Sequence, residues 1–289
     1  VRASRVAAAL PGVVRRVPFT AALTVVVVVV GLATRTVWTP AWRAEWFPWV
    51  AYGVPALREG RVWTFVTGSV FGLTPGQWAF GLVLSAVLVG ACELRLGTRR
   101  VAVAAVSGQL VGVLVASLLV WALSATGWTW AVALTATRDV GFTTGTLTAV
   151  AVTSATLRSP WRLRVVLWFY VTVAFLFEGT LSDVAHVVGV GAGLLVGQRL
   201  LGVEPGFGPR TRSETRMIAS AGLVVLLLSE IVVLLFPGRG PFGTTSGDAA
   251  PFVDVLRGLG AVEQVLQRYA EPPGRADVRT ADVVGDAGQ

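Results

Sequence analysis

Seven apolar runs, each about the length of a bilayer crossing, with arginines gathered in alternate loops between them, leave this chain few ways to fold. A span needs roughly 20 mostly apolar residues, because the hydrocarbon core is about 30 Å thick and a helix rises 1.5 Å per residue. The runs fall at about 17–36, 76–96, 101–123, 140–157, 162–178, 184–201 and 217–236, the last ending at Pro237. The fourth is polar for a span, with Thr143, Thr144, Thr146, Thr148 and Thr153. The pattern predicts an all-α polytopic membrane protein. Arg15 and Arg16 before the first run resemble a signal-peptide flank. That run, however, is long, lacks a small-x-small cleavage site and is followed by more spans, so it is expected to be a retained helix.

Composition supports lipid as the solvent. Hydrophobic residues make up 54% of the 289 and charged residues only 14%, too few to cover a soluble domain. All 24 basic residues are Arg, a bias of a high-GC genome rather than a function. The formal charge of +8 does not point to nucleic acid, because the arginines sit between apolar runs. One cysteine, Cys92, excludes an intramolecular disulfide, and one histidine, His186, excludes a multi-histidine metal site. Cys92 reads as a small buried apolar residue. No metal, nucleotide or haem motif is visible, so no cofactor is expected.

The arginines also orient the chain. Arg2, Arg5, Arg15 and Arg16 precede the first run, Arg95, Arg99 and Arg100 follow the second, Arg158, Arg162 and Arg164 follow the fourth, and Arg199, Arg210, Arg212 and Arg216 follow the sixth. These are alternate loops, which the positive-inside rule places in the cytoplasm. The expected organisation is a cytoplasmic segment 1–16, a six-helix core 17–201, a loop and seventh helix 202–236, and an extracytoplasmic tail 237–289, in the plasma membrane. The outer loop 37–75 carries Trp38, Trp42, Trp46, Trp49 and Trp63 and is expected to lie at the membrane interface. In the tail, Val253 to Tyr269 has helical apolar spacing, and the end beyond Glu271 reads as disordered.

Three blocks carry chemistry. Trp63 and Thr67 are followed by Gly90, Glu93 and Gly97 in a G-x-x-E-x-x-x-G helix end. Gly141-Phe142-Thr143-Thr144-Gly145 opens the fourth run. Ala185-His186-Val187-Val188-Gly189, extended to Gly193, opens the sixth. Together, over about residues 60–200, they resemble the rhomboid family of intramembrane serine proteases. The resemblance implies a rhomboid-like six-helix core plus a seventh transmembrane helix. It also implies a dyad in which a hydroxyl at the fourth helix passes its proton to a histidine on the sixth. Gly189, Gly193 and Gly197 would let the sixth helix approach the fourth closely.

The departures from the family pattern matter as much. The nucleophile position falls on Thr143, whose methyl stiffens χ1 and crowds attack. Thr144 stands where the family has glycine. The oxyanion positions read Gln77, still a donor, and Gly81, which has no side-chain donor; Gly72 and Thr64 depart too. Losing one oxyanion donor typically costs about 10²–10³ in rate. The favoured expectation is therefore a non-proteolytic member that binds transmembrane segments or lipids in the cleft between the second and fifth helices. The alternatives are a serine-type peptidase using Thr143 and His186, and a membrane anchor for a lipid-modifying enzyme. The bland expectations are His186 hydrogen-bonded to a fourth-span threonine, Thr143 bonded to a backbone carbonyl one turn back, and Glu93 tying a helix end to a loop. Asp183, one turn before His186, is placed either to orient it or to sit in solvent.

Overall fold

Prolines and glycines set the helix limits. The computed structural model describes residues 15–203, 211, 212, 214–216 and 219. Its principal helices are α1 (Pro18–Ala33), α2 (Pro75–Leu96), α3 (Thr98–Ser124), α4 (Thr143–Thr153), α5 (Pro160–Phe177) and α6 (Leu181–Ala192). Pro18, Pro75 and Pro160 each open a helix, where the missing N–H is not needed. Gly97, at φ +81°, turns the chain between α2 and α3. Thr180 and Asp183 form a reciprocal capping box at the start of α6. α6 then continues through a π-helical turn, Gly193–Gly197, into Gln198–Leu200.

No strand occurs among the described residues, only one backbone bridge between Tyr52 and Asp139. α2, α3 and α5 are long and apolar enough to cross a membrane, while α1 and Leu181–Leu195 are shorter apolar helices. Val29, Val83, Val87, Leu94, Trp161 and Val165 point outward and are exposed. So much outward apolar surface suits lipid rather than water. The chain is an all-α membrane protein.

The fourth run departs most from expectation. Instead of spanning 140–157, α4 has 11 residues, about 16 Å of helix, too short to cross a bilayer. Gly141, at φ +144°, starts it and a 3-10 turn at Ser154–Thr156 ends it. Every residue from Thr144 to Thr153 is buried. α4 is wrapped by α2, α3 and α6, so its environment is protein. Its hydroxyls are satisfied locally: Thr146 donates to the Phe142 carbonyl, Thr148 to Thr144 and Thr153 to Ala149. Ser85 on α2 adds a 2.8 Å hydroxyl contact to Thr146.

The glycine face of α6 does what its spacing predicts. A Cβ at Gly189 would meet Thr148 Oγ1 at 2.7 Å and Thr144 Cγ2 at 2.8 Å, and one at Gly193 would meet Thr148 O and Ala151 Cβ at 2.9 Å. Only glycine allows this approach of α6 to α4. Cys92 is buried among apolar neighbours, as expected.

Two expectations need correction. The segment 37–75 does show exposed Trp38, Trp49 and Trp63, but Ala51, Tyr52, Val54 and Ala56 in its middle are fully buried. The loop is folded into the protein rather than lying wholly on an interface. Its apolar stretch buries itself against Val113, Val120, Leu134 and Leu181. Glu93, second, does more than tie its helix end to the neighbouring Thr98. Its carboxylate accepts from Phe19 N at 2.9 Å, Thr20 N at 2.8 Å and Thr20 Oγ1 at 2.7 Å. It caps the start of α1, where free N–H groups attract an anion.

The seventh run 217–236, the N-terminal residues 1–14 and the tail 237–289, with its amphipathic stretch, lie outside what the described residues can speak to.

Candidate functional site

Thr143 is the first residue of α4, and three features fix where its hydroxyl points. Gly141 takes a backbone conformation that L side chains rarely adopt, turning the chain sharply into the helix. The Gly141 carbonyl is held by Gln109 Nε2 at 2.7 Å, with the Tyr52 hydroxyl 3.5 Å away. Gln109 Oε1 in turn accepts from Gly145 N at 2.9 Å. One buried amide on α3 thus grips both sides of the first turn of α4. A Cβ at Gly145 would run into the Ala105 backbone, so α3 lies against this turn.

His186 sits in the second turn of α6 and is 6% exposed. Its Nε2 lies 2.8 Å from Thr143 Oγ1. A hydroxyl donating to a neutral imidazole at that distance is the arrangement a general base needs. The two residues that the sequence pairs by motif are therefore in contact, although 43 positions separate them. Thr143 bonds histidine rather than a carbonyl one turn back.

The side facing α2 is bare by comparison. A Cβ at Gly81 would stand 3.9 Å from Thr143 Cγ2. Gly81 therefore faces Thr143, but it presents only hydrogen, and the threonine methyl points toward it. Gln77 is exposed near the start of α2, its backbone N–H bonded to Thr74 Oγ1. No described contact brings its amide to Thr143. Gly72, in the other loop position, lies against Trp78. Among side chains, the pair has no second donor.

The remaining motif residues are architectural. Trp63 Nε1 donates to Trp49 O. Gly90 packs near Thr20. No group of three or more His, Cys, Asp or Glu residues that could hold a metal ion occurs among the described residues.

Behind His186 the surroundings become acidic. Asp183 is buried, not solvated. Its Oδ2 accepts from Thr180 N at 2.8 Å and Thr180 Oγ1 at 2.7 Å, and its Oδ1 is 3.8 Å from His186 Nδ1. In the preceding loop, burial pushes the Asp139 carboxyl up to about 7, with nearby Asp183 adding to the rise against the Val140 N–H. Burial likewise raises Glu178, just past α5, to about 8, helped by Asp183 and Asp139.

Sequence reasoning found Thr143 and His186 but missed Gln109 and Asp139. A lone glutamine inside an otherwise apolar run was the available signal for Gln109, since amides are costly there unless bonded. Asp139 had no signal, because a loop aspartate ordinarily faces water.

The described fold and site define the class: an all-α membrane protein with a hydroxyl–imidazole pair among its buried helices. No protein-family profile matches the chain, and no curated protein is significantly similar to it.

Proposed function

We propose that this chain is a rhomboid-like membrane protein and that Thr143 and His186 are the nucleophile and general base of a slow intramembrane peptidase. The observation that carries this is the 2.8 Å contact between Thr143 Oγ1 and His186 Nε2. In the proposed step Oγ1 attacks a peptide carbonyl carbon and its proton passes to Nε2. The proton then goes to the leaving amine as the C–N bond breaks, and water resolves the ester by the reverse transfers. Gly145 N is held by Gln109 and Thr146 N by the Phe142 carbonyl, so the Thr143 and Thr144 N–H groups at the start of α4 would serve the oxyanion, in place of side chains at 77 and 81. Substrate would be a transmembrane segment entering between α2 and α5, which scarcely touch each other. The arginine-rich alternate loops support a cytoplasmic N-terminus.

A second reading rests on one observation. The Thr143 methyl points toward Gly81, filling the space an oxyanion would use, which favours a non-proteolytic binder of transmembrane helices in the same cleft. Reconstituted protein with a fluorogenic transmembrane substrate decides between them. Under the peptidase reading, wild type cleaves, His186→Ala does not, and Thr143→Ser cleaves about ten-fold or more faster, the methyl being gone. Absence of cleavage by both wild type and Thr143→Ser rejects the peptidase and leaves the binder.

A further inference from the structure

His186 has two ring nitrogens, and the contact with Thr143 uses one of them. The other, Nδ1, is fully buried and has no hydrogen-bond partner among the described residues. Buried polar atoms are nearly always paired, because an orphan forfeits its hydration. When Nε2 accepts from the Thr143 hydroxyl, the neutral ring carries its proton on Nδ1, and that N–H needs an acceptor. The polar atom recorded beside it is Asp183 Oδ1, at 3.8 Å. That distance exceeds a hydrogen bond by about 1 Å, so the proposed bond requires the two side chains to draw together by about that much. Asp183 is not free to turn away. Its other oxygen is fastened by the Thr180 N–H and hydroxyl, which leaves Oδ1 on the histidine side. The same helical turn carries both residues, so the pair needs no other element to align it.

We infer that Asp183 is a positioning residue for His186: its Oδ1 accepts from Nδ1–H, holds the ring as the Nδ1–H tautomer and balances the charge when Nε2 takes the Thr143 proton. The site is then an in-line relay, Thr143–His186–Asp183, rather than a two-residue dyad. A carboxylate in this place stabilises the imidazolium without itself taking the proton. This inference builds on the peptidase reading, but it makes a claim about the resting protein that does not depend on turnover.

His186 being the only histidine, protein labelled with ¹⁵N-histidine reports this site alone. The experiment is ¹⁵N–¹H NMR of the full chain in nanodiscs at neutral pH, for wild type, Asp183→Asn and Asp183→Glu. The inference expects wild type to show a protonated Nδ1, an unprotonated Nε2 and a downfield, slowly exchanging Nδ1 proton. Asp183→Asn should lose the downfield proton and mix the tautomers, and Asp183→Glu should restore it at least in part. A wild-type ring protonated on Nε2, or a spectrum unchanged by Asp183→Asn in folded protein, overturns the inference. The wild-type spectrum decides even if the Asn variant does not fold. In the cleavage assay, Asp183→Asn should lower kcat by about 10² or more with little change in KM. A relay seen by NMR in a protein that never cleaves would sink the peptidase reading and leave the relay standing.

Discussion

The two ends of α2 face opposite solutions to the same problem. Glu93 and Gly81 are twelve positions apart, about 18 Å along the helix. At the Glu93 end a buried carboxylate accepts three hydrogen bonds from the start of α1. Nearby, Arg95 binds Glu214 at 2.9 Å and Thr156 Oγ1 at 3.1 Å. These donors and acceptors have well-formed partners. At the Gly81 end, His186 Nδ1 is left without a partner, Asp183 stops short of it, and the half-buried Asp139 and Glu178 lie near a third carboxyl. A satisfied polar network rigidifies. An under-satisfied one stores cost, and such sites gather where chemistry or ligand binding occurs. The Glu93 end holds the bundle together, and under the proposed function the Thr143 end keeps groups ready for a reactant.

The sharpest way to break that comparison is to remove one group from each end. His186→Ala should abolish cleavage at a stability cost of about 1–2 kcal/mol, for the cavity left and the Thr143 hydroxyl that loses its partner. Glu93→Ala should do the reverse. It strips three donors at a helix start of their acceptor and should cost about 3 kcal/mol, with cleavage retained at temperatures where the variant is folded. Thermal melts and cleavage on the same preparations check both. If His186→Ala destabilises as much as Glu93→Ala does, the two ends are alike and the division of labour is wrong.

Gln109→Ala sharpens the same contrast, because this side chain belongs to both categories. It would leave the Gly145 N–H unpaired and the Gly141 carbonyl with only the Tyr52 hydroxyl at 3.5 Å, costing about 2 kcal/mol, and would loosen the turn that aims Thr143. Cleavage should fall even in folded protein, which a purely structural residue would not cause. Comparable in size is Gly189→Ala, where the added methyl must displace Thr148 and Thr144, at about 1–3 kcal/mol. A melt unchanged by this substitution would mean that α6 does not lie against α4 as closely as described.

How much of this was legible in the sequence differs between the ends and follows from physics. Apolar run length announces α2, α3 and α5, because lipid demands it. It misjudges α4, since a helix wrapped by protein need not match the bilayer, and threonines bonded to their own backbone make a short buried helix look like a polar span. The Gly189–Gly193 face was readable because close helix approach leaves a four-residue period of small side chains. The Thr143–His186 pair was readable only through motif resemblance, and the oxyanion departures at Gln77 and Gly81 with it. Glu93 was readable as structural, but its partner was not, because capping joins residues 73 and 74 positions apart. Burial of Tyr52 and Asp183 had no local trace at all, nor had the half-burial of Asp139, which pairs with Tyr52 where the loop 37–75 folds inward.

The gentlest test lies in pH. At the Thr143 end, burial lifts Asp139 to about 7 and Glu178 to about 8, each aided by neighbouring carboxyls. A carboxyl raised in the folded state keeps its proton after the unfolded chain has lost it. The unfolded state therefore binds fewer protons between about pH 4 and pH 7–8, and stability falls as pH rises through that window, then levels off. Glu214, at the other end, has the opposite sign. Burial alone would raise it, but the Arg95 side chain and the Thr211 N–H hold it below the usual range, so its contribution is present above the ordinary glutamate value and lost on acidification. Melting midpoints in detergent from pH 5 to 8.5 should therefore decline. Asp139→Asn should flatten the slope up to about pH 7, because the amide keeps the oxygen that accepts from Val140 N at 2.7 Å and removes the titration. A profile that rises with pH, or one indifferent to Asp139→Asn, would mean that the carboxyls around His186 are hydrated, and the contrast between the two ends would lose its electrostatic half.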